Sequence, residues 1–203
     1  MALISDNNML KKIYETIFLT YNNSLDLYES AEILFEKGKI NSSYTFYHFS
    51  FEEGGRFFLL LKVLFQYLQG DISKKELNYG YLKKIGFERH TKKLDESVLK
   101  LFALPIYESV INNNTEQTDK LIEIHEFISS RVNVFNVLKN KSIYICYEDN
   151  SFISPSESIS QEDLEYMKEL ADIQLINIKV FLEKIKKEGT LEELKGIFKI
   201  KNK

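Results

Sequence analysis

One stretch constrains the fold of this chain more than any other. From Asn41 to Gly70, apolar and aromatic residues recur at helical spacing through Tyr44, Tyr47, Phe51, Phe58 and Leu61. Asn41 can cap the start of this helix and Gly70 offers a left-handed stop. A helix this long and aromatic is expected at the centre of the molecule. Its middle breaks the apolar pattern with Glu52-Glu53-Gly54-Gly55-Arg56. Two glycines inside a helix cost about 1 kcal/mol each relative to alanine, so something is expected to pack very close to them. Glu52 and Arg56 stand four apart with His48 one turn earlier, forming a polar line on one face. That line reads either as an intrahelical salt bridge beside glycines that serve helix approach, or as part of a site.

The rest of the chain is read around this helix. Leu10, Ile13, Ile17 and Phe18 predict an amphipathic helix over Met9 to Tyr21, ending at Asn22 and Asn23, and Leu27, Ala31, Leu34 and Phe35 predict another from Ser24 to Lys37 before Gly38. Gly70 to Gly86 is short-patterned and charged. Helical spacing resumes from Phe87 through Leu94, Val98, Leu101 and Phe102 until Pro105 interrupts it. Asn112 to Thr115 is a loop, and Leu121 to Phe135 carry a further helix ending near Asn140. Ser142 to Tyr147 is β-branched and aromatic, bounded by Asp149-Asn150, and is the best strand candidate; it needs a short pairing partner. Ser160 with Asp163 resembles a capping signature for a last long helix from Leu164 to Gly189, after which Thr190 and Glu193 can open one more turn. The Lys-rich tail, Lys195 to Lys203, is expected to fray.

Composition narrows the class. Two prolines and eight glycines in 203 residues are too few for a linker-rich or many-turned all-β chain, and the expected architecture is one mostly α domain spanning 1–203. A net charge of −3 excludes a surface built throughout to coat nucleic acid, while leaving room for a local basic patch. The N-terminus lacks the basic start and apolar run of a signal peptide, and Lys62 and Gln66 interrupt the longest apolar stretch, Phe57 to Leu68, so neither secretion nor a membrane span is expected. A lone Cys146 fits a cytoplasmic compartment and has no cysteine or histidine neighbour for a zinc site. Walker, G-x-S-x-G and H-E-x-x-H motifs are all missing from the sequence.

A second polar segment, Lys83-Lys84-Ile85-Gly86-Phe87-Glu88-Arg89-His90-Thr91-Lys92-Lys93, gathers basic residues and a histidine around one glycine. Phosphate binding needs such local charge, and a histidine can exchange a proton with a ribose hydroxyl or a leaving oxygen. A solvated basic turn before a helix is the alternative reading. His125, between Glu123 and Glu126, is expected to be structural or at the surface.

Taken in order, Glu29 to Phe35, Ser43 to Phe51 with Glu52-Glu53-Gly54-Gly55-Arg56, Phe87 to Leu94, and Lys141 to Tyr147 with Ser154-Pro155 resemble the AbiV family of bacterial abortive infection proteins over most of Ser24 to Glu183. The resemblance implies a HEPN-like helical bundle with a short β element near residues 142–147. It also implies a homodimer and a metal-independent ribonuclease without cofactor, latent until an activating phage protein triggers it to block translation. The usual HEPN element, an arginine followed by four to six residues and a histidine, is missing: lysine takes the arginine place before His90 (Lys84) and before His125 (Lys120), and lysine is a point charge where arginine is a planar fork. What the resemblance suggests instead is a composite site, in which Glu52, Glu53 and Arg56 face Arg89, His90 and Lys93. In it His90 would be the acid or base, Arg56, Arg89 and Lys93 would hold the phosphate, Glu52 or Glu53 would orient His90 or Arg56, and Lys83, Lys84 and Lys92 would bind RNA alongside. Docking on RNA or a ribosome without catalysis is the competing expectation.

Overall fold

The computed structural model describes residues 6–187. The expected helix end at Gly189, the turn at Thr190 and Glu193 and the tail from Lys195 lie outside the described residues. Helix α1 (Asp6–Glu36) is continuous where two helices separated at Asn22-Asn23 are expected. The reason is phase: Leu10, Ile13, Ile17, Thr20, Ser24 and Ala31 are all buried at three-and-four spacing, while Asn22 and Asn23 fall on the exposed side. Ser24, which could have capped a new helix, donates its hydroxyl to the carbonyl of Ser50 at 2.8 Å, and Ser50 returns the bond to Ser24.

Gly38 takes a left-handed φ of 66° and turns the chain into α2 (Ile40–Gln69). The two helices run antiparallel, with Ser24 opposite Ser50 and Ser43 bonded to the carbonyl of Ala31. Asn41 is not the cap. Lys39 occupies that position without a side-chain bond, and Asn41, already inside the helix, donates to the carbonyl of Ser142 at 3.3 Å. Gly70 closes α2 at φ 87° as expected.

The charged segment that follows hides a short helix, α3 (Tyr79–Ile85), capped by Asn78 and stopped by Gly86. Helix α4 (His90–Leu101) begins three residues after Phe87, and α5 (Ala103–Ile111) follows directly. Pro105 sits in the first turn of α5, where no helical N–H bond is needed. The expected helix over 121–140 is two: α6 (Thr115–Ser130), capped by Asn114, and α7 (Val132–Lys141), divided at Arg131. The strand also moves. Ser142 and Tyr144 still bond back to Leu138 and Asn140, so the hairpin is made by β1 (Cys146–Glu148) and β2 (Ser151–Ile153). Glu148 stands opposite Ser151, and Asp149 and Asn150, both at positive φ, form the two-residue turn between them. After α8 (Pro155–Ser158), the hydroxyl of Ser160 donates to Asp163 and opens α9 (Gln161–Lys187).

Helix α2 is the axis, packed by α1, α4 and α9. Its C-terminal half joins Leu10, Ile13 and Ile17 of α1 and Ile178 and Leu182 of α9 in one apolar core. Its N-terminal half joins Leu94 and Val98 of α4, Phe135 of α7 and Leu164 and Met167 of α9 in another. Glu52 to Gly55 lie between the two. Among the described residues, no helix is long and apolar enough to cross a membrane.

Candidate functional site

The two glycines decide where the helices cross. A methyl group on Gly55 would lie 1.8 Å from the carbonyl oxygen of Lys93, and one on Gly54 would lie 2.5 Å from the amide of Gln174. Helix α4 therefore approaches α2 with backbone nearly against backbone at Gly55, and α9 sends Gln174 against Gly54. The Gln174 amide spans the carbonyl of Phe51 (3.0 Å) and the N–H of Gly55 (3.2 Å), and Ser97 of α4 donates to the same Phe51 carbonyl at 2.6 Å. The close approach expected from the glycines is thus met by two helices at once.

At this crossing Glu52 is held across the helix interface. Its carboxylate takes the ammonium of Lys93 and, at 2.7 and 2.8 Å from its two oxygens, Nδ1 of His90. Glu52 is 3% exposed and Lys93 2%, so the ion pair is enclosed. Burial works against the charge of Glu52, but the bonds from Lys93 and His90 outweigh it and hold its carboxyl below the usual carboxylate range. An ionised carboxylate only accepts, so Nδ1 of His90 carries a proton. In the neutral ring Nε2 is then the bare acceptor, on a side chain that is 58% exposed. The arrangement can fix an imidazole tautomer and present its other nitrogen to a ligand.

The polar line on α2 is not a chain of contacts. Arg56 pairs with Glu53 at 3.0 Å and lies over the ring of Phe87, 5.1 Å from its centre. His48 is fully buried and neither ring nitrogen has a hydrogen-bond partner; desolvation pushes its pKa down to about 3, against the opposing pull of Glu52. Of the six residues expected to face one another, the structure brings Glu52, His90 and Lys93 together and leaves Glu53 with Arg56 beside them. Arg89 turns the other way and donates to the carbonyl of Lys84 at 3.2 Å. Lys92 pairs with Asp95 at 3.1 Å, and Lys83 pairs with Glu88 at 3.5 Å and covers the ring of Tyr79. Lys83, Lys84, Arg89 and Lys92 are exposed, whereas Lys93 is sealed in.

Sequence reasoning missed Gln174 and Ser97. Their signal was a polar residue in the apolar phase: Gln174 follows Leu170 and Ile173 on the buried face of α9, and Ser97 sits between Leu94 and Val98 on α4. His125 is on α6 with its ring against Phe102, 6.4 Å between centres.

Neither a curated protein nor a solved structure matches this chain. A family does, over residues 12–175, a span that runs from α1 into α9 and includes the whole α2–α4 crossing. With that match on a mostly helical bundle, the chain belongs to the AbiV family of abortive-infection proteins in the HEPN superfamily.

Proposed function

We propose that this protein is an antiphage effector that acts on RNA, with His90 as its acid–base group. The observation that supports the reading is the contact of Nδ1 with Glu52, which leaves Nε2 as the other nitrogen of a side chain that is 58% exposed. In the reaction, Nε2 takes the proton of a ribose 2′-hydroxyl as that oxygen attacks the adjacent phosphorus. The bond from phosphorus to the 5′-oxygen breaks, and the leaving oxygen takes a proton from solvent. A 2′,3′-cyclic phosphate and a 5′-hydroxyl result. Arg89 and Lys92, both exposed, leave the Lys84 carbonyl and Asp95 to neutralise the phosphate, while Lys93 fixes Glu52 and does not reach the substrate. Cutting RNA in this way arrests translation in the infected cell, in the cytoplasm. An activating phage protein releases the activity, and two copies of the chain form the working unit.

Gel analysis of total RNA tests this reading. A translation extract is mixed with purified protein, with and without infected-cell lysate, beside the His90→Ala variant. Discrete fragments that need the lysate and vanish in the variant are expected. The second reading, RNA or ribosome docking without cleavage, is favoured by the exposed cations Lys83, Lys84, Arg89 and Lys92; it predicts arrested translation with intact RNA, unchanged by the variant and lost steeply as salt rises.

A further inference from the structure

Helix α5 is the anomaly of the outer surface. Seven of its nine residues are apolar or aromatic, yet the residue it buries is Ser109. Tyr107, Val110 and Ile111, three and four apart on one side of the helix, are 63%, 56% and 57% exposed. Helix α6 folds back along α5 as an arm: Ser109 meets the hydroxyl of Thr118 at 2.8 Å near the tip, and the ring of Phe102 meets that of His125 at the base. Exposed apolar residues scattered singly are ordinary, but a stripe of them along one helix marks a surface that another molecule covers.

Charge decides what that molecule is. Glu116, Asp119, Glu123 and Glu126 recur at three-and-four spacing along the exposed side of α6, and none of them is in an ion pair among the described residues. With Glu108 they set five carboxylates against Lys120 alone in residues 103–130, a formal charge of −4 in a chain that totals −3. Val110 of α5 and Asp119 of α6 line the same notch of about 250 Å³, together with Ser109 and Thr118. The apolar and acidic stripes therefore open on one side of the arm, and the exposed Ile122 stands one helical turn from both Asp119 and Glu126. These carboxylates repel RNA and an anionic lipid surface. A second copy placed on the same face by a two-fold axis brings like charges together. We propose that this face of α5 and α6 docks a basic amphipathic helix of another protein, with its cations on Asp119, Glu123 and Glu126 and its apolar side chains on Tyr107, Val110 and Ile122. A helix laid on such a face presents anchors three and four residues apart, which is the spacing of both stripes. The inference is independent of the RNA reading of His90, which opens α4 at the end away from α5.

Fluorescence anisotropy with the full chain tests the surface. The probe is a labelled synthetic peptide of leucine and lysine, patterned as an amphipathic helix of about 18 residues. One control peptide carries glutamate in place of lysine, and another carries serine in place of leucine. The leucine-lysine peptide is expected to bind, and both controls to bind at least about ten-fold more weakly. Glu123→Lys combined with Glu126→Lys, and separately Tyr107→Ser, should each weaken the probe about ten-fold; all three positions are exposed, and circular dichroism verifies the fold. Asp26→Lys combined with Glu29→Lys, the same charge change at exposed positions of α1, should leave binding as it was. Absence of binding, a serine control that binds as tightly as the probe, or an equal loss from the α1 pair would overturn the proposal. So would sedimentation showing that the chain pairs with itself and that Tyr107→Ser separates the copies, since a second copy would then be the occupant.

Discussion

Two clusters in this bundle are made from nearly the same parts. In one, Glu52 holds Lys93 and His90; in the other, Glu32 of α1 accepts from Lys168 of α9 at 2.7 Å and from the hydroxyl of Tyr47. In both, burial opposes the carboxylate charge and the donors outweigh it, so both carboxyls sit below their usual range. The difference is enclosure. Glu32 and Lys168 are about a third exposed (33% and 31%), and Lys168 also lies over the ring of Phe35, while Glu52 and Lys93 are sealed under the glycine crossing. Solvent screens the first pair, and nothing screens the second. The lesson is that the glycines of α2, more than the charges, make the Glu52 cluster a place where one exposed imidazole is held by buried partners.

That contrast can be broken most severely at Lys93. Lys93→Ala removes one half of an enclosed ion pair and should destabilise the fold by about 3–5 kcal/mol, read by denaturant unfolding. Gly55→Ala attacks the crossing itself. Its methyl would meet backbone at Lys93, which no rotamer change relieves, and a loss of about 3 kcal/mol is expected; Gly54→Ala, facing the movable amide of Gln174, should lose closer to 1 kcal/mol.

Acid sharpens the comparison next. His48 is neutral in the fold with its pKa at about 3, whereas the unfolded chain takes up that proton near 6.5, so the unfolded state binds more protons and stability falls as pH drops below 6.5. Glu52, also lowered, adds to the fall once pH passes below its unfolded value of 4.5. The slope from His48 approaches about 1.4 kcal/mol per pH unit. His48→Leu, which fills the same apolar surroundings without a titrating ring, should flatten stability between pH 6.5 and 5. The smallest effect is expected at the open cluster: Lys168→Ala should cost no more than about 1 kcal/mol and should shrink further in high salt. A loss there equal to that at Lys93 would remove the distinction between the two clusters.

How much of this could be read from the sequence follows the same line between local and distant causes. Gly38 and Gly70 as stops, Ser160 with Asp163 as a helix start, and the glycine pair as a point of close approach are local signals, and each stands where it was expected. The joining of α1 across Asn22-Asn23 depends on Ser24 meeting Ser50 of another helix, and the shift of the strand depends on how far the turns after α7 run. At the site, Glu52 and His90 were both legible as chemistry. Their contact was not, because 38 residues separate them, and neither was the burial of Lys93, a lysine that follows the exposed Thr91 and Lys92. Gln174 was the least visible, since its reason for being polar lies at Gly54 on another helix.

The central claim is that His90, held by Glu52, moves the proton in RNA cleavage. It is tested most directly by the end chemistry of RNA taken from phage-infected cells carrying the wild-type protein or His90→Ala. The account predicts new 2′,3′-cyclic phosphate and 5′-hydroxyl ends with the wild type and none with the variant; intact RNA in both, or the same ends in the variant, would contradict it.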